Sequence, residues 1–444
     1  LLQRLRSVRL ISAYSPLPPL RPKLSLEPPA HRSASHVAAR TMVDVTSKVQ
    51  IIEHVNKPLS QTVYDTKWVP CSARFVSLGT PARQTGLIHV YSLTAGDIEL
   101  QAELERPKAF KCGTFGASSI AERHLATGDF AGGVALWDLE RLQEPLFAMQ
   151  GHEAIINCID GCGGLKGAGA PEIATGGRDG AVHVWDPRQR DRPVASMLPE
   201  EGAPVRDCWA VAFGDAHSAD SRVVAAGYDN GDVKLLDLVA GKLRFETNVS
   251  NGVCGVEFDR NDIEMNKLVA RAPPTLLGGG REKASQLYFF FRHRGSPSLR
   301  VGERVSSHRT RCEQVLTTLE SRYRLYDMRT EHPVHGYSFL SQEAHQSTVW
   351  AARHLPQNRD VFMTCGGNGS LELWRYSYPA QRSIKDKDGH AKGVLGTVTQ
   401  LQKKKFSTQP IASFDWHADK EGLAVMGVLD QTVRVLLCTK LNLV

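Results

Sequence analysis

The chain repeats itself, and that repetition constrains its fold more than any other feature. Seven segments close an apolar-alternating run on an aromatic residue or leucine. They are His89-Val90-Tyr91-Ser92, Ala135-Leu136-Trp137-Asp138, His183-Val184-Trp185-Asp186, Lys234-Leu235-Leu236-Asp237, Arg324-Leu325-Tyr326-Asp327, Glu372-Leu373-Trp374-Arg375 and Arg434-Val435-Leu436-Leu437. Their third residues lie 46, 48, 51, 90, 48 and 62 positions apart. Alternation of period two is the signature of a strand with one buried face, and a unit this short cannot bury its apolar face alone. Such units must stack on one another.

Two spacings are long, and each has a local cause. The 90 contains residues 271–316, with Pro273-Pro274, Gly278-Gly279-Gly280, the run Leu287-Tyr288-Phe289-Phe290-Phe291 and scattered arginines. Removing them joins Ala270 to Thr317 and restores a unit of ordinary length. The segment therefore reads as an insert that interrupts a hairpin in the fifth unit, with translated intron sequence as the expected origin and a disordered loop as the alternative. The 62 contains residues 381–407, whose Lys385-Asp386-Lys387-Asp388-Gly389 and Lys403-Lys404-Lys405 predict a long solvated loop.

Turn chemistry fills in each unit. In the third, Gly151-His152 precedes Ile155-Ile156. Glu172-Ile173-Ala174-Thr175-Gly176 then leads through Arg178-Asp179-Gly180 to Ala181–Asp186. Asp-Gly between two alternating runs marks a hairpin, because glycine accepts the positive φ the turn requires. Tyr228-Asp229-Asn230-Gly231, Asn368-Gly369 and Leu429-Asp430-Gln431 give similar turns. The pattern resembles the WD repeat, whose period is about 40–45 residues. The expected fold is all-β, a seven-bladed WD-repeat β-propeller over residues 42–444. Lys48–Val55 is expected to add the outermost strand to the last blade and close the ring.

The WD resemblance implies a buried hydrogen-bond chain within a blade. Its members match His152, Thr175, Asp179 and Trp185 in blade three. In blade six they match His345, Thr364, Asn368 and Trp374, with Asn in place of Asp. Blade two keeps Thr127 and Trp137 but has Ala131 at the turn position.

Charge argues against a nucleic-acid partner. The total is +7, but residues 1–41 carry +6 and residues 271–316 another +6, leaving −5 on the repeating body. Residues 1–41, rich in Pro, Ser and Arg, read as a non-native or disordered leader before Met42. Pro16, Pro18, Pro19 and Pro22 weaken a transit-peptide reading. No apolar run is long enough to span a bilayer. The nine cysteines are expected as small buried residues of a reducing cytosol. Cys71, Cys112, Cys158, Cys208 and Cys254 each fall early in a first strand. Cys158 and Cys162 lack a second pair to complete a zinc site.

Catalytic constellations do not assemble. Gly161-Cys162-Gly163-Gly164-Leu165-Lys166-Gly167 lacks the Gly-Lys-Ser/Thr ending of a phosphate loop and reads as an enlarged loop. Asp160, Asp179, Asp207 and Asp229 are expected to cap turns, and His183 to sit on a strand face. The expectation is no enzyme, no cofactor and no metal.

Several longer strings resemble one particular family. They are Ala170-Pro171-Glu172-Ile173 through Trp185-Asp186-Pro187-Arg188-Gln189, Arg206-Asp207-Cys208-Trp209 with Val211-Ala212-Phe213-Gly214, Asn251-Gly252-Val253-Cys254 with Glu257-Phe258-Asp259-Arg260, and His354-Leu355-Pro356-Gln357-Asn358-Arg359. All are similar to the Monad family of WD-repeat dynein axonemal assembly factors, and the likeness runs from Val43 to the end, apart from 271–316. The resemblance implies a cytosolic protein-interaction scaffold of a co-chaperone complex with reptin, pontin and prefoldin-like subunits. That complex assists pre-assembly of axonemal dynein heavy chains, and the family is also linked to apoptosis. It implies protein partners, no nucleic acid, no membrane, and a monomer within a larger complex. A rival reading, substrate receptor of a cullin–RING ubiquitin ligase, rests on two Asp-x-Arg boxes: Trp185-Asp186-Pro187-Arg188 and Tyr326-Asp327-Met328-Arg329.

Overall fold

The computed structural model describes residues 48–165, 167–189, 192–200, 202, 204–260 and 321–443, together with the backbone of 267–272. The leader at 1–41 and all of 271–316 beyond Ala272 lie outside the described residues. Among those described there is no α-helix, only a 3-10 turn at Leu441–Leu443.

The described residues form thirty strands, numbered in chain order. Blade one holds β1 to none of its own: β1 (Gln50–Pro58) belongs to the last blade, and blade one is β2 (Gln61–Trp68), β3 (Arg74–Pro81), β4 (Gly86–Leu93) and β5 (Ile98–Arg106). Blade two is β6 (Phe110–Thr114), β7 (Leu125–Asp129), β8 (Gly133–Trp137) and β9 (Phe147–Gln150). Blade three is β10 (Ile156–Cys162), β11 (Glu172–Gly177), β12 (Val182–Trp185) and β13 (Ala195–Met197). Blade four is β14 (Cys208–Gly214), β15 (Val223–Tyr228), β16 (Asp232–Asp237) and β17 (Lys242–Asn248). Blade five is β18 (Gly255–Phe258), β19 (Lys267–Ala272), β20 (Arg322–His332) and β21 (Gly336–Glu343). Blade six is β22 (Val349–Leu355), β23 (Asn358–Gly366), β24 (Ser370–Ser377) and β27 (Thr397–Lys405), with a two-stranded hairpin of β25 (Ser383–Lys385) and β26 (Ala391–Gly393) before its last strand. Blade seven is β28 (Ile411–Trp416), β29 (Leu423–Val428), β30 (Thr432–Thr439) and, from the other end of the chain, β1.

Each blade is an antiparallel meander, and its first strand packs against the first strands of the blades on either side, β28 returning to β2. The ring is therefore closed, and the strand that completes it is the segment around Lys48–Val55. β1 pairs with β30 from Gln50↔Thr439 to Pro58↔Thr432. Its outward Glu53 accepts from Arg434 Nη1 at 2.8 Å, while Ile51 and Val55 are buried. The core lies between blades, in clusters such as Val76, Leu78, Ile88, Phe110, Leu125 and Trp137.

Meander topology puts the blade-to-blade crossovers and the second-to-third-strand turns on one face, here called upper. First-to-second and third-to-fourth turns form the lower face. Two features recur along the inner strands. Near the upper face six of them skip one residue in pairing with the second strand. The skipped residues are Tyr64, Lys111, Asn157, Trp209, Trp350 and Ala412. A bulge of this kind re-aims the extra side chain. Further down, four inner-strand acids stitch neighbouring blades: Asp65 accepts from Gly113 N, Asp160 from Phe213 N, Glu257 from His354 N and Asp415 from Trp68 N, at 2.8–2.9 Å. A charge-assisted acceptor for a buried amide is among the stronger hydrogen bonds available.

Several expectations change. Residues 381–407 are not one long loop, since they hold the β25–β26 hairpin and the whole of β27. An outermost strand has one solvated face and a free edge, so its residues are polar and its alternation is weak. The fifth blade is not broken. β19 runs on through Arg271 and Ala272, and Ala272 pairs with Arg322, so the chain leaves and re-enters at adjoining positions. Asp160 is not a turn cap but an inter-blade acceptor in mid-strand. Cys71 is exposed in the turn after β2, whereas Cys112 and Cys208 are buried. The eight described cysteines are all free thiols.

Candidate functional site

Blade three assembles the four expected residues. His152 Nδ1 lies 3.0 Å from Asp179 Oδ1, its Nε2 lies 2.8 Å from Thr175 Oγ1, and Trp185 Nε1 donates to that hydroxyl at 2.8 Å. One hydrogen assignment satisfies all of them. The indole donates to Thr175, the hydroxyl donates to His152 Nε2, and Nδ1–H donates to the carboxylate. Burial opposes ionisation of Asp179, but the bond from His152 and the amides of Glu153 and Ala181 outweigh it and hold its pKa below the usual value. Gly177 is required here, because a Cβ would collide with His152 Nδ1 and Asp179 Oδ1.

Blade six departs from its expected chain at one point. His345 Nε2 meets Thr364 Oγ1 at 2.8 Å and Trp374 Nε1 donates to the same hydroxyl at 2.9 Å. Asn368, however, is not the partner of His345. Ser370 stands between them, its Oγ 2.8 Å from His345 Nδ1 and donating to Asn368 Oδ1 at 2.7 Å. The turn amide accepts from the serine hydroxyl and from Ser370 N, and the hydroxyl bridges the remaining gap. Fully buried Glu372 sits below, 3.6 Å from His345 Nδ1 and 2.7 Å from Lys403 Nζ.

The other blades vary. In blade two Trp137 Nε1 donates to Thr127 Oγ1 at 2.8 Å, and Asp129 Oδ1 caps the turn through Ala131 N and Gly133 N. Blade one has a network the sequence did not reveal: Gln61 Nε2 donates to Ser77 Oγ at 2.7 Å, and His89 Nδ1 lies 2.9 Å from Tyr91 Oη.

The two Asp-x-Arg boxes lie toward the lower face and differ in access. Arg188 folds back on Asp186 through Nε and Nη2 at 2.9 and 2.6 Å. That bond is the main reason the Asp186 pKa is lowered. Arg329 does the same to Asp327 at 2.6 and 2.5 Å and lies 5.2 Å over the Tyr378 ring. The Arg188 side chain is 63% exposed and that of Arg329 only 15%. Tyr378 covers Arg329, and the β25–β26 hairpin packs on the same strand, β20. The hairpin is pinned by His332 Nε2 and Asp386 Oδ2 at 2.8 Å.

Comparison with known proteins places this architecture. The model of the WD domain, G-beta repeat, matches residues 143–186. The solved WD40 β-propeller domain of Doa1 superposes with a TM-score of 0.56 at 12% identity, over 87% of this chain and 97% of that one. The chain is 51% identical to dynein axonemal assembly factor 10 of Bos taurus and of Homo sapiens, over 89% of this chain and 98% of each relative. It is 47% identical to the Chlamydomonas reinhardtii protein of that name, over 90% and 99%. The chain belongs to the dynein axonemal assembly factor 10 family.

One pH response follows for this member of the dynein axonemal assembly factor 10 family. Burial, the leading cause, pushes the His345 pKa down to about 4, against a partial upward pull from Glu372. The folded state thus keeps His345 neutral between about pH 6.5 and 4, while the unfolded chain takes up a proton, so stability falls as pH falls through that window. The loss is about 2 kcal/mol at pH 5. Urea melts at pH 7.5 and pH 5 should show it, and His345→Gln should reduce the difference by that amount, leaving the share of His183, which burial also pushes down to about 4. An unchanged pH response in that variant would count against the assignment.

Proposed function

We propose that the protein is a non-catalytic scaffold of a cytosolic co-chaperone complex containing reptin, pontin and prefoldin-like subunits, and that it assists pre-assembly of axonemal dynein arms. The observation that carries this is the family match over nearly the full length of relatives named for dynein axonemal assembly. A closed ring of internally braced blades supports it, because such a disc offers broad, rigid surfaces to several proteins at once. The partners on this reading are proteins, with dynein heavy chains as clients.

The ligase-receptor reading is less well supported. It needs two accessible arginines, and Arg329 is held by Asp327 and covered from the side of Tyr378. Affinity purification of the tagged full-length chain from ciliated cells separates the two. Reptin, pontin and prefoldin-like subunits are expected in the eluate, with dynein heavy chains reduced when the protein is depleted. Recovery of a cullin–RING adaptor instead, lost on Arg188→Ala, would overturn the scaffold reading.

A further inference from the structure

The upper mouth of the ring carries a row of large side chains. Tyr64, Lys111, Trp209 and Trp350 occupy the bulged position of their inner strands, and all four are half-buried. Each sits by the upper loops. Trp209 lies against Gly252 of the blade-four crossover and Trp350 against Gly367 of the β23–β24 turn. A bulge that only shaped the strand would accept any residue, as Ala412 in blade seven shows.

Between blades one and two this rim opens into a cleft of about 310 Å³, bounded by Tyr64, Thr80, Gln84, Lys108, Phe130 and Ala131. Its floor is aromatic, with the Tyr64 and Phe130 rings 5.2 Å apart. Its rim is cationic: Lys111 Nζ lies 4.9 Å from the Tyr64 ring centre, and Lys108 is exposed. The acids nearby are already engaged. Asp129 is bonded to its own turn amides, Glu105 to Arg83 and Thr85, and Asp65 to Lys67, Thr66 N and Gly113 N. Arg83 balances Glu105 and Lys67 balances Asp65, while Asp129 is turned onto its own turn amides, so Lys108 and Lys111 are the charges beside the apolar floor of the cleft.

We propose that this cleft docks an acidic peptide segment of a partner protein, which lays one apolar side chain on Tyr64 and Phe130 and sets a carboxylate against Lys108. The volume suits a side chain or two rather than a folded surface, and charge complementarity fixes the sign of the partner. A nucleic-acid strand fits less well, because two lysines make a short cationic patch on a body whose remaining charge is −5. The inference rests on the scaffold reading only in taking the ligand from a protein.

Fluorescence anisotropy on the full chain tests it with labelled twelve-residue peptides of alternating Glu/Leu, Gln/Leu and Lys/Leu. The Glu/Leu peptide should bind at least tenfold tighter than the other two, with affinity falling as salt rises. Lys108→Glu should weaken it tenfold or more, about 1.4 kcal/mol. Because Lys108 is exposed the variant should melt like wild type. Should it not, Lys108→Gln, read the same way, replaces it and should weaken binding in the same direction. Equal binding of the Glu/Leu and Gln/Leu peptides, or a response to neither Lys108 variant, overturns the proposal. Neither result touches the co-chaperone reading, which is decided by co-purification alone.

Discussion

Deleting residues 50–58 should abolish cooperative folding rather than trim one edge. β1 is hydrogen-bonded to β30 along its length, so its loss removes the strand that ties the two ends of the propeller together and leaves β30 an unpaired edge. Ile51 and Val55 leave the core, at about 1.5–3 kcal/mol each. Arg434, almost fully buried, loses Glu53 and keeps Asp430, Thr432 and the Phe406 carbonyl. Because Asp430 still balances the charge, the loss is that of one charge-assisted hydrogen bond, about 1.5–3 kcal/mol. Together these are comparable with the whole stability of an ordinary domain, about 5–15 kcal/mol. Expression should give aggregate or a chain without a sharp denaturation transition. A soluble deletion variant that melts near the wild-type midpoint would refute the closure.

The second large effect is expected from Thr364→Val, which removes a hydroxyl while nearly preserving shape. That oxygen serves both the Trp374 indole and His345 Nε2, and Thr364 is fully buried. Water cannot replace it there, so two polar groups are stranded at about 1–3 kcal/mol each, or about 2–6 in all. Thr175→Val in blade three should behave alike, since Thr175 has the same two partners in Trp185 and His152. Serine at either position keeps the hydroxyl and should recover most of the loss. Equilibrium urea melts measure all four variants. A valine variant within about 0.5 kcal/mol of wild type, the usual range of a neutral surface change, would show that the hydroxyl bridge contributes little.

Elements written by burial were the legible ones. The third strands carry buried aromatic residues at a common position, Trp185, Tyr326 and Trp374 among them, so their period survives in the sequence and gives the fold. The blade-three chain was also readable, because His152, Thr175, Asp179 and Trp185 keep the spacing of the WD pattern. β27 was not: eight of its nine positions carry Thr, Val, Gln or Lys, and only its pairing with β24 makes it a strand. Ser370 was hidden for a different reason. Its role depends on how far the Asn368 amide lies from His345, a distance no spacing encodes. The inter-blade acceptors Asp160, Glu257 and Asp415 join residues some fifty or more positions apart, and nothing local marks them. The cleft at Tyr64 was likewise invisible, since it depends on a bulge and on the meeting of two blades.

The pairing of Ala272 with Arg322 has a consequence for how this gene product can vary. Where a chain departs and returns at touching residues, the expense of whatever lies in between is chiefly the entropy of tying a ring, which grows only with the logarithm of its length. Doubling the excursion adds about 0.6 kcal/mol. Natural drift can lengthen or shorten the sequence at that point with little pressure from the rest of the molecule, and a reporter domain spliced there would meet the same tolerance.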